Sequence, residues 1–256
     1  MFKKGELFIG TSGWFYDDWR AFFYPKNLPK EKWLEYFASH FRTVELNNSF
    51  YRLPKESTFL TWYKKTPENF LFAVKVSRFI SHLKRLKDCG DSWYLFYQRA
   101  KLLKEKLGPF LIQLPPRWQK NLKRLKNFVK MIKGISPKEK FAFEFRDESW
   151  FCPDIFRFLN SEKNLTLCLA DSVQWPKTFI SSGDFIYIRF HGPGSLYASK
   201  YSQTQLQKWA KIIKSFLKEK KSVFCYFNND FSGFAVENAK ELLNLCQKRS
   251  DLKNML

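Results

Sequence analysis

Short apolar runs recur along this chain, separated by stretches in which apolar positions repeat at helical spacing. Eight runs stand out: residues 7–10 (LFIG), 43–46 (TVEL), 71–76 (LFAVKV), 110–114 (FLIQL), 141–145 (FAFEF), 165–170 (LTLCLA), 185–190 (FIYIRF) and 223–227 (VFCYF). Each is apolar almost throughout, as parallel strands covered on both faces should be. Between them lie helix signals. Pro29 suits a first helical position, and Trp33, Leu34, Phe37 and Phe41 share a face behind it. Ser57 reads as the cap of the next helix, which Pro67 stops. Asp91 opens a third, closed by Gly108. Leu122, Leu125, Phe128, Val129 and Ile132 form a stripe that Gly134 terminates. Pro153 starts a fifth helix, Ser202 and Gln205 form a capping box before a seventh, and Gly233 precedes the last. The sixth connection, after Asp171, has no helical period and reads as irregular. Eight strands, each followed by a connection, predict the α/β class and a closed (β/α)8 TIM-like barrel as a single domain over residues 1–256. An open doubly wound sheet is the competing topology.

In such barrels, sites sit at the carboxyl ends of the strands. Here those ends carry Thr11 and Ser12, Glu45 and Asn47, Lys75, Gln113, Glu144 and Arg146, Asp171, Arg189 and His191, and Asn228, Asn229 and Asp230. Alternation along a strand says which of these point inward. In the fifth strand Ala142, Glu144 and Arg146 share one face and Phe141, Phe143 and Phe145 the other. The bulky face suits the layer beneath the helices, so the polar face should look into the barrel. The same phase holds for Glu45 with Asn47, Ala73 with Lys75, and Arg189 with His191. The expected result is an inward ring of Glu45, Asn47, Lys75, Gln113, Glu144, Arg146, Arg189 and His191. Desolvating a lone charge is costly, so two carboxylates facing three cations should pair. Such a ring is either a salt-bridged plug or the floor of a functional mouth.

Composition adds a charge question. The 256 residues carry 45 Lys plus Arg against 24 Asp plus Glu, a formal charge of +21. That charge attracts anions, nucleic acid included. However, Lys120, Lys123, Arg124, Lys126 and Lys130, like Lys208, Lys211, Lys214 and Lys218, fall opposite apolar stripes and should face outward. Aromatics make up 19% and suit a tightly filled interior. The five cysteines form no C-x-x-C pair, and Cys168 and Cys225 read as buried hydrophobes in a reducing compartment. No signal-like leader and no membrane-length apolar run is evident, so a cytoplasmic protein without a membrane partner is expected.

Several segments together carry a family resemblance: GTSGWFYDDW (10–19), FYP (23–25), VELNNSFYRLP (44–54), GPFLIQLPP (108–116), FEFRDESW (143–150), RFHG (189–192) and YFNNDFSG (226–233). In that order they resemble the YecE-like family, domain of unknown function 72, over nearly the whole chain. The resemblance implies a TIM barrel and no settled activity. Where the family pattern has Thr-His after the third strand, this chain has Ser81-His82. Where the family has His after the fifth-strand Arg, Asp147 stands here.

The residues themselves support several chemistries. Glu45 and Glu144 could act as a carboxylate pair in acid–base work, joined by His191 and Asp230 as catalytic candidates. Arg189, Arg146 and Lys75 would hold negative charge. Asn47, Gln113, Asp171, Asn228, Asn229 and His82 would orient a ligand, and Trp14, Tyr16, Trp19 and Tyr51 would stack on it. A divalent metal on Glu45, Glu144, Asp171, His191 and Asp230 is possible but not favoured, because the neighbouring cations already neutralise the carboxylates. The glycines of 192–195 and 229–233 lie where barrels often hold phosphate. The expected ligand is small, polar or phosphorylated, and the expected role an enzyme. Nucleic-acid binding, with or without nuclease action, and non-catalytic ligand sensing are the alternatives.

Overall fold

The computed structural model describes residues 4–247. Eight parallel strands form one sheet: β1 (Leu7–Thr11), β2 (Thr43–Leu46), β3 (Leu71–Lys75), β4 (Leu107–Gln113), β5 (Phe141–Glu144), β6 (Leu165–Asp171), β7 (Phe185–Phe190) and β8 (Ser222–Phe227). Each strand from β2 to β8 pairs with its neighbours in sequence, and β8 returns to β1. The remaining seam, between β1 and β2, is joined by a single parallel bridge from Ser12 to Glu45. The sheet is thus a nearly closed barrel, as the strand pattern predicted, and not an open doubly wound sheet.

Helices cover the outside: α1 (Trp33–His40), α2 (Asn48–Tyr51), α3 (Glu56–Lys64), α4 (Gly90–Ala100), α5 (Leu122–Ile135), α6 (Pro153–Ser161), α7 (Gln203–Lys218) and α8 (Phe234–Gln247). Pro153 occupies the first turn of α6, and the capping box of Ser202 with Gln205 opens α7. From Ser172 to Asp184 the chain has no helix or strand, so the sixth connection is irregular as read.

Four boundary expectations need correction. Ser57 lies inside α3, which starts at Glu56 without a side-chain cap. Pro29 precedes a short 3-10 turn, Lys30–Lys32, that leads into α1. Gly134 is helical, because α5 runs on to Ile135. Gly108 is part of β4, not a helix stop. A Cβ on it would lie 3.0 Å from the Phe72 carbonyl oxygen, so the glycine lets β4 draw close to β3.

The core has two layers. Phe141, Phe143 and Phe145 pack outward with the helices, whereas Phe8, Ala73, Ala142, Cys168, Tyr187 and Phe224 fill the barrel. Alternation therefore assigns the faces correctly. Lys123, Lys126 and Lys130 on α5, and Lys208, Lys211 and Lys218 on α7, are exposed, opposite the stripes those helices bury. Among the described residues no helix is long and apolar enough to cross a membrane.

The β1–β2 seam depends on Gly10. A Cβ there would sit 2.1 Å from the Thr43 carbonyl oxygen, inside any permitted contact. We expect Gly10→Ala to force the seam apart at a cost of about 1–3 kcal/mol, a melting-temperature loss of roughly 3–10 °C by circular dichroism. An unchanged melting temperature would show that β1 and β2 do not meet as described.

Candidate functional site

The carboxyl ends of the strands converge on one buried guanidinium. On β7 the inward phase carries Tyr187, Arg189 and then His191, all fully buried. Arg189 Nη2 donates to Glu45 Oε1 at 2.8 Å and Nη1 to Glu144 Oε2 at 2.6 Å. Glu45 also accepts from Ser12 Oγ at 2.8 Å and from the Tyr187 hydroxyl at 2.6 Å. Glu144 Oε1 accepts from Arg146 Nε at 3.2 Å, and Arg146 Nη2 donates to Gln113 Oε1 at 2.9 Å. Burial alone would raise the Glu144 carboxyl, but Arg189, Arg146 and His191 outweigh it and hold it well below the usual carboxylate range. The same two glutamates hold Arg189 firmly charged against its own burial.

His191 completes this group. Burial pushes its imidazole down to about 4, against the pull of Glu144, so the ring is neutral near neutral pH. Its Nε2 is 3.2 Å from Glu144 Oε1, which requires the proton on that nitrogen. Nδ1 then accepts from Asn228 Nδ2 at 3.2 Å.

Two guanidiniums thus neutralise two carboxylates, and the third predicted cation is left over. Lys75 points inward from β3 and is 8% exposed. Its Nζ lies 4.2 Å from the centre of the Phe50 ring and has no hydrogen-bond or ion-pair partner among the described residues. Burial, then Arg189 and Arg146, lower its amine to about 7, against the opposing pull of Glu144 and Glu45. His82, from the turn after β3, is likewise pushed down to about 4 by burial and by Lys75. Its Nε2 is 3.5 Å from Gln113 Nε2.

Beyond β8, Asp230 behaves in the opposite sense. Its Oδ1 is buried with no hydrogen-bond partner among the described residues. Burial raises its carboxyl to about 8, against the Tyr16 hydroxyl and Arg189, so it is largely protonated at neutral pH. Tyr16 donates to the Ser12 carbonyl at 2.5 Å, and Asn47 Nδ2 reaches the same oxygen at 3.3 Å. These contacts join the polar ring to a cleft of about 430 Å³ lined by Gly13, Trp14, Phe15, Tyr16, Asn47, Asn48 and Trp62. Trp14 meets Trp62 edge to face, with centroids 5.5 Å apart.

The structure therefore brings together the predicted inward ring of Glu45, Asn47, Lys75, Gln113, Glu144, Arg146, Arg189 and His191, with Asn228, His82, Tyr16, Trp14 and Asp230 around it. Four other candidates point elsewhere. Asp171 is out of phase with the inward residues Thr166 and Cys168, so it faces α7. There it accepts from Trp209 Nε1 at 3.1 Å and pairs with Lys177 at 2.7 Å. Asn229 is buried against Ser199 and Asn238 and ties its loop to α8. Trp19 is fully buried between Tyr16, Phe23 and Tyr24, with Nε1 donating to the Asp230 carbonyl. Tyr51 is 79% exposed, its ring against Phe50.

The loop after β7 also departs from the phosphate expectation. The backbone N–H groups of Gly194 and Ser195 both donate to Ser199 Oγ, and that of Gly192 donates to the Tyr201 hydroxyl. The protein already fills this anion cradle. Among the described residues no group of three or more His, Cys, Asp or Glu side chains could hold a metal ion. Trp175, whose ring lies 4.5 Å from the Arg146 guanidinium, and Tyr187 were not singled out from the sequence. Tyr187 was findable, since it shares the phase of Arg189. Trp175 sits in the aperiodic sixth connection and offered no signal.

Comparison with known proteins gives a consistent result. The family described as "Protein of unknown function DUF72" matches residues 8–255. The "UPF0759 protein YunF" of Bacillus subtilis is 28% identical over 93% of this chain and 94% of its own length. The "UPF0759 protein YecE" of Escherichia coli is 32% identical over 46% of this chain and 43% of its own. A crystal structure of a DUF72 family protein from Thermotoga maritima superposes with a TM-score of 0.85 at 27% identity, covering 95% of this chain and all of that one. A second DUF72 structure, from Enterococcus faecalis, gives 0.79 at 21% identity over 96% of this chain and 97% of its own, a likeness of fold alone.

Asp230 yields a signed pH dependence. It ionises near 3.8 ordinarily and near 8 in the fold, so between those values the unfolded chain has released a proton that the folded chain keeps. Its contribution to stability is full below that window and declines as pH rises through it. Asp230→Asn removes the titration. We expect the variant's melting temperature, relative to the parent, to climb from about pH 4 to about pH 8 and then level off. A difference that stays constant across the window would show that Asp230 ionises normally.

Proposed function

This chain belongs to the DUF72 family of proteins of unknown function, and we propose that it is an enzyme using acid–base chemistry on a polar, sugar-bearing substrate at the carboxyl ends of its strands. The observation that carries this reading is three buried polar atoms at the mouth without hydrogen-bond partners among the described residues: Oδ1 of Asn47, Oδ1 of Asp230 and Nε of Arg189. Each such atom costs about 1–3 kcal/mol if it stays unsatisfied. Folded proteins tolerate few of them, and Asn47 lines the aromatic cleft, so a ligand seated there would supply a missing partner.

The chemistry of the cleft favours a sugar over a phosphate. Aromatic faces from Trp14, Tyr16 and Trp62 suit the apolar faces of a sugar ring, and Asn47 can accept from a hydroxyl. The backbone N–H groups of Gly192 and Gly194, in the loop after β7, already donate to Tyr201 and Ser199. Arg146, half-buried under Trp175, remains for any negative charge the substrate carries.

Roles follow from which groups have a free proton or lone pair. Asp230, protonated near neutral pH, is the acid that would donate to a departing or developing oxygen. Glu45 and Glu144, the acid–base pair that strand position alone suggests, each have both oxygens engaged by neighbouring donors. Their role here is to fix Arg189. His191, bonded on both nitrogens, orients Glu144 and Asn228. Gln113, His82 and Lys75 would meet the substrate from the β3–β4 side.

The test is thermal unfolding against aldoses, sugar phosphates, nucleotides and short oligonucleotides, run beside an Asn47→Ala, Asp230→Asn double variant. A ligand at about one hundred times its dissociation constant adds about 2.7 kcal/mol, or roughly 5–10 °C. We expect a sugar to give a shift of that size in the parent and little in the variant. No sugar shift, or an equal one in both proteins, overturns the reading. An oligonucleotide shift that vanishes with added salt and ignores the variant would reflect only the outward lysines.

A further inference from the structure

We propose that Lys75 is a covalent centre, its side-chain amine forming an imine with the carbonyl carbon of an open-chain aldehyde or ketone sugar. The inference rests on the reading of the barrel mouth as an enzyme site and narrows its substrate to carbonyl compounds.

Among the described residues two lysines are buried. Lys106 is 4% exposed, and its Nζ donates to the carbonyls of Tyr63 and Thr66, each at 2.6 Å, and to Thr66 Oγ1 at 3.3 Å. That is how a buried ammonium is made tolerable: its protons are all given acceptors. Lys75 has none of this. Its Nζ rests on the face of Phe50, which holds the stem in place without accepting a proton in a hydrogen bond.

The charged and titratable groups facing it are Glu45 from β2, Glu144 and Arg146 from β5, Arg189 from β7 and His82 from the turn after β3. Both carboxylates are already bonded to the guanidiniums. The ammonium is therefore the surplus charge of the cluster, and losing its proton relieves the strain. The amine titrates at about 7 where an ordinary lysine titrates at 10.5. Near neutral pH a substantial fraction carries the free lone pair a nucleophile needs. Its Nζ has no hydrogen-bond or ion-pair partner among the described residues, and the residue keeps 8% of its surface exposed. A lysine whose task was only to bind an anion would gain from a high pKa, and this environment lowers it.

The step balances without an oxidant or reductant. The amine lone pair attacks the carbonyl carbon, and the C=O π pair moves to oxygen. One proton passes from nitrogen to that oxygen, giving a carbinolamine. The oxygen takes up the proton lost when the ammonium became an amine. The nitrogen lone pair then expels it as water, leaving a C=N⁺ bond. Ammonium plus carbonyl becomes iminium plus water.

The test traps that bond. The intact protein is incubated at pH 7 with glycolaldehyde and sodium cyanoborohydride, and the reduced adducts are located by peptide mass mapping. We expect Lys75 to be labelled roughly a hundredfold or more faster than surface lysines at pH 7. The advantage should shrink towards pH 10 as the others deprotonate. Labelling spread over exposed lysines, with Lys75 unmodified or no faster, overturns the proposal.

Lys75→Arg removes the amine and keeps a cation, and it should lose the fast adduct while melting near the parent. Should it fail to fold, the parent's labelling pattern still decides. Sugar-induced thermal shifts without an adduct at Lys75 would overturn the covalent step and leave the binding reading standing. Absence of both would overturn the two together.

Discussion

Arg189 joins three strands through one guanidinium, and the barrel's mouth is arranged around it. Glu45 comes from β2, Glu144 from β5 and the arginine from β7, so the clamp reaches across the barrel rather than along it. A buried ion set of this kind is a poor source of net stability, because desolvation consumes most of the Coulomb gain. It is, however, intolerant of rearrangement: removing one member leaves an uncompensated charge in the core, at a cost of about 3–5 kcal/mol. The clamp also reaches the weakest seam. Ser12, the β1 end of the one bridge to β2, donates to the same Glu45 that holds Arg189. Closure of the backbone at Gly10 and closure of the polar cluster above it are therefore one structural event.

The fold was legible because buried parallel strands are apolar throughout, and the chain shows eight such runs with little ambiguity. The inward ring was legible for a related reason: alternation has a period of two, and bulky phenylalanines on β5 reveal which face is outside. The same rule exposes the errors. Asp171 ends a strand, which suggests a mouth residue, yet its phase is that of Leu165, Leu167 and Leu169, which face the helices. Asn229 stands one position past the inward-facing Asn228 and turns away for the same reason. Trp19 and Tyr51 lie outside the strands, where no period governs direction; one went into the core and the other into solvent. The filling of the Gly192–Ser195 cradle by Ser199 depended on a turn several residues long, which local residue types do not specify.

Sequence could count charges but not allocate them. Two carboxylates and three cations were visible, and pairing was the sound expectation. Which cation would be left without a partner depends on reach. Arg189 and Arg146 present planar forks that satisfy several acceptors at once, whereas Lys75 presents a single ammonium against an aromatic face. Titration behaviour followed from that geometry: a lysine near 7 and an aspartate near 8 lie within one cluster whose glutamate stays ionised. Neither value could be assigned before the pairing was known.

A salt-bridged plug accounts for only part of this mouth. The satisfied members, Gln113, Glu144, Arg146 and His191, come from β4, β5 and β7. Among the described residues, partnerless atoms near the strand ends belong to Lys75 on β3, Asn47 after β2, Asn229 and Asp230 after β8, the Nε of Arg189 on β7 and the Nε1 of Trp175 in the connection before β7. In the order of the sheet, β7, β8, β1, β2 and β3 are consecutive around the barrel, with the β1–β2 seam in their middle. The aromatic cleft opens at that seam, on the segments that follow β1 and β2. The partnerless atoms of Lys75, Asn47, Asp230 and Arg189 fall on one arc, beside the cleft that Asn47 lines, and mark a side from which a ligand would complete hydrogen bonds the protein leaves open. The plug is then the rigid half of the mouth, and its rigidity holds the other half ready.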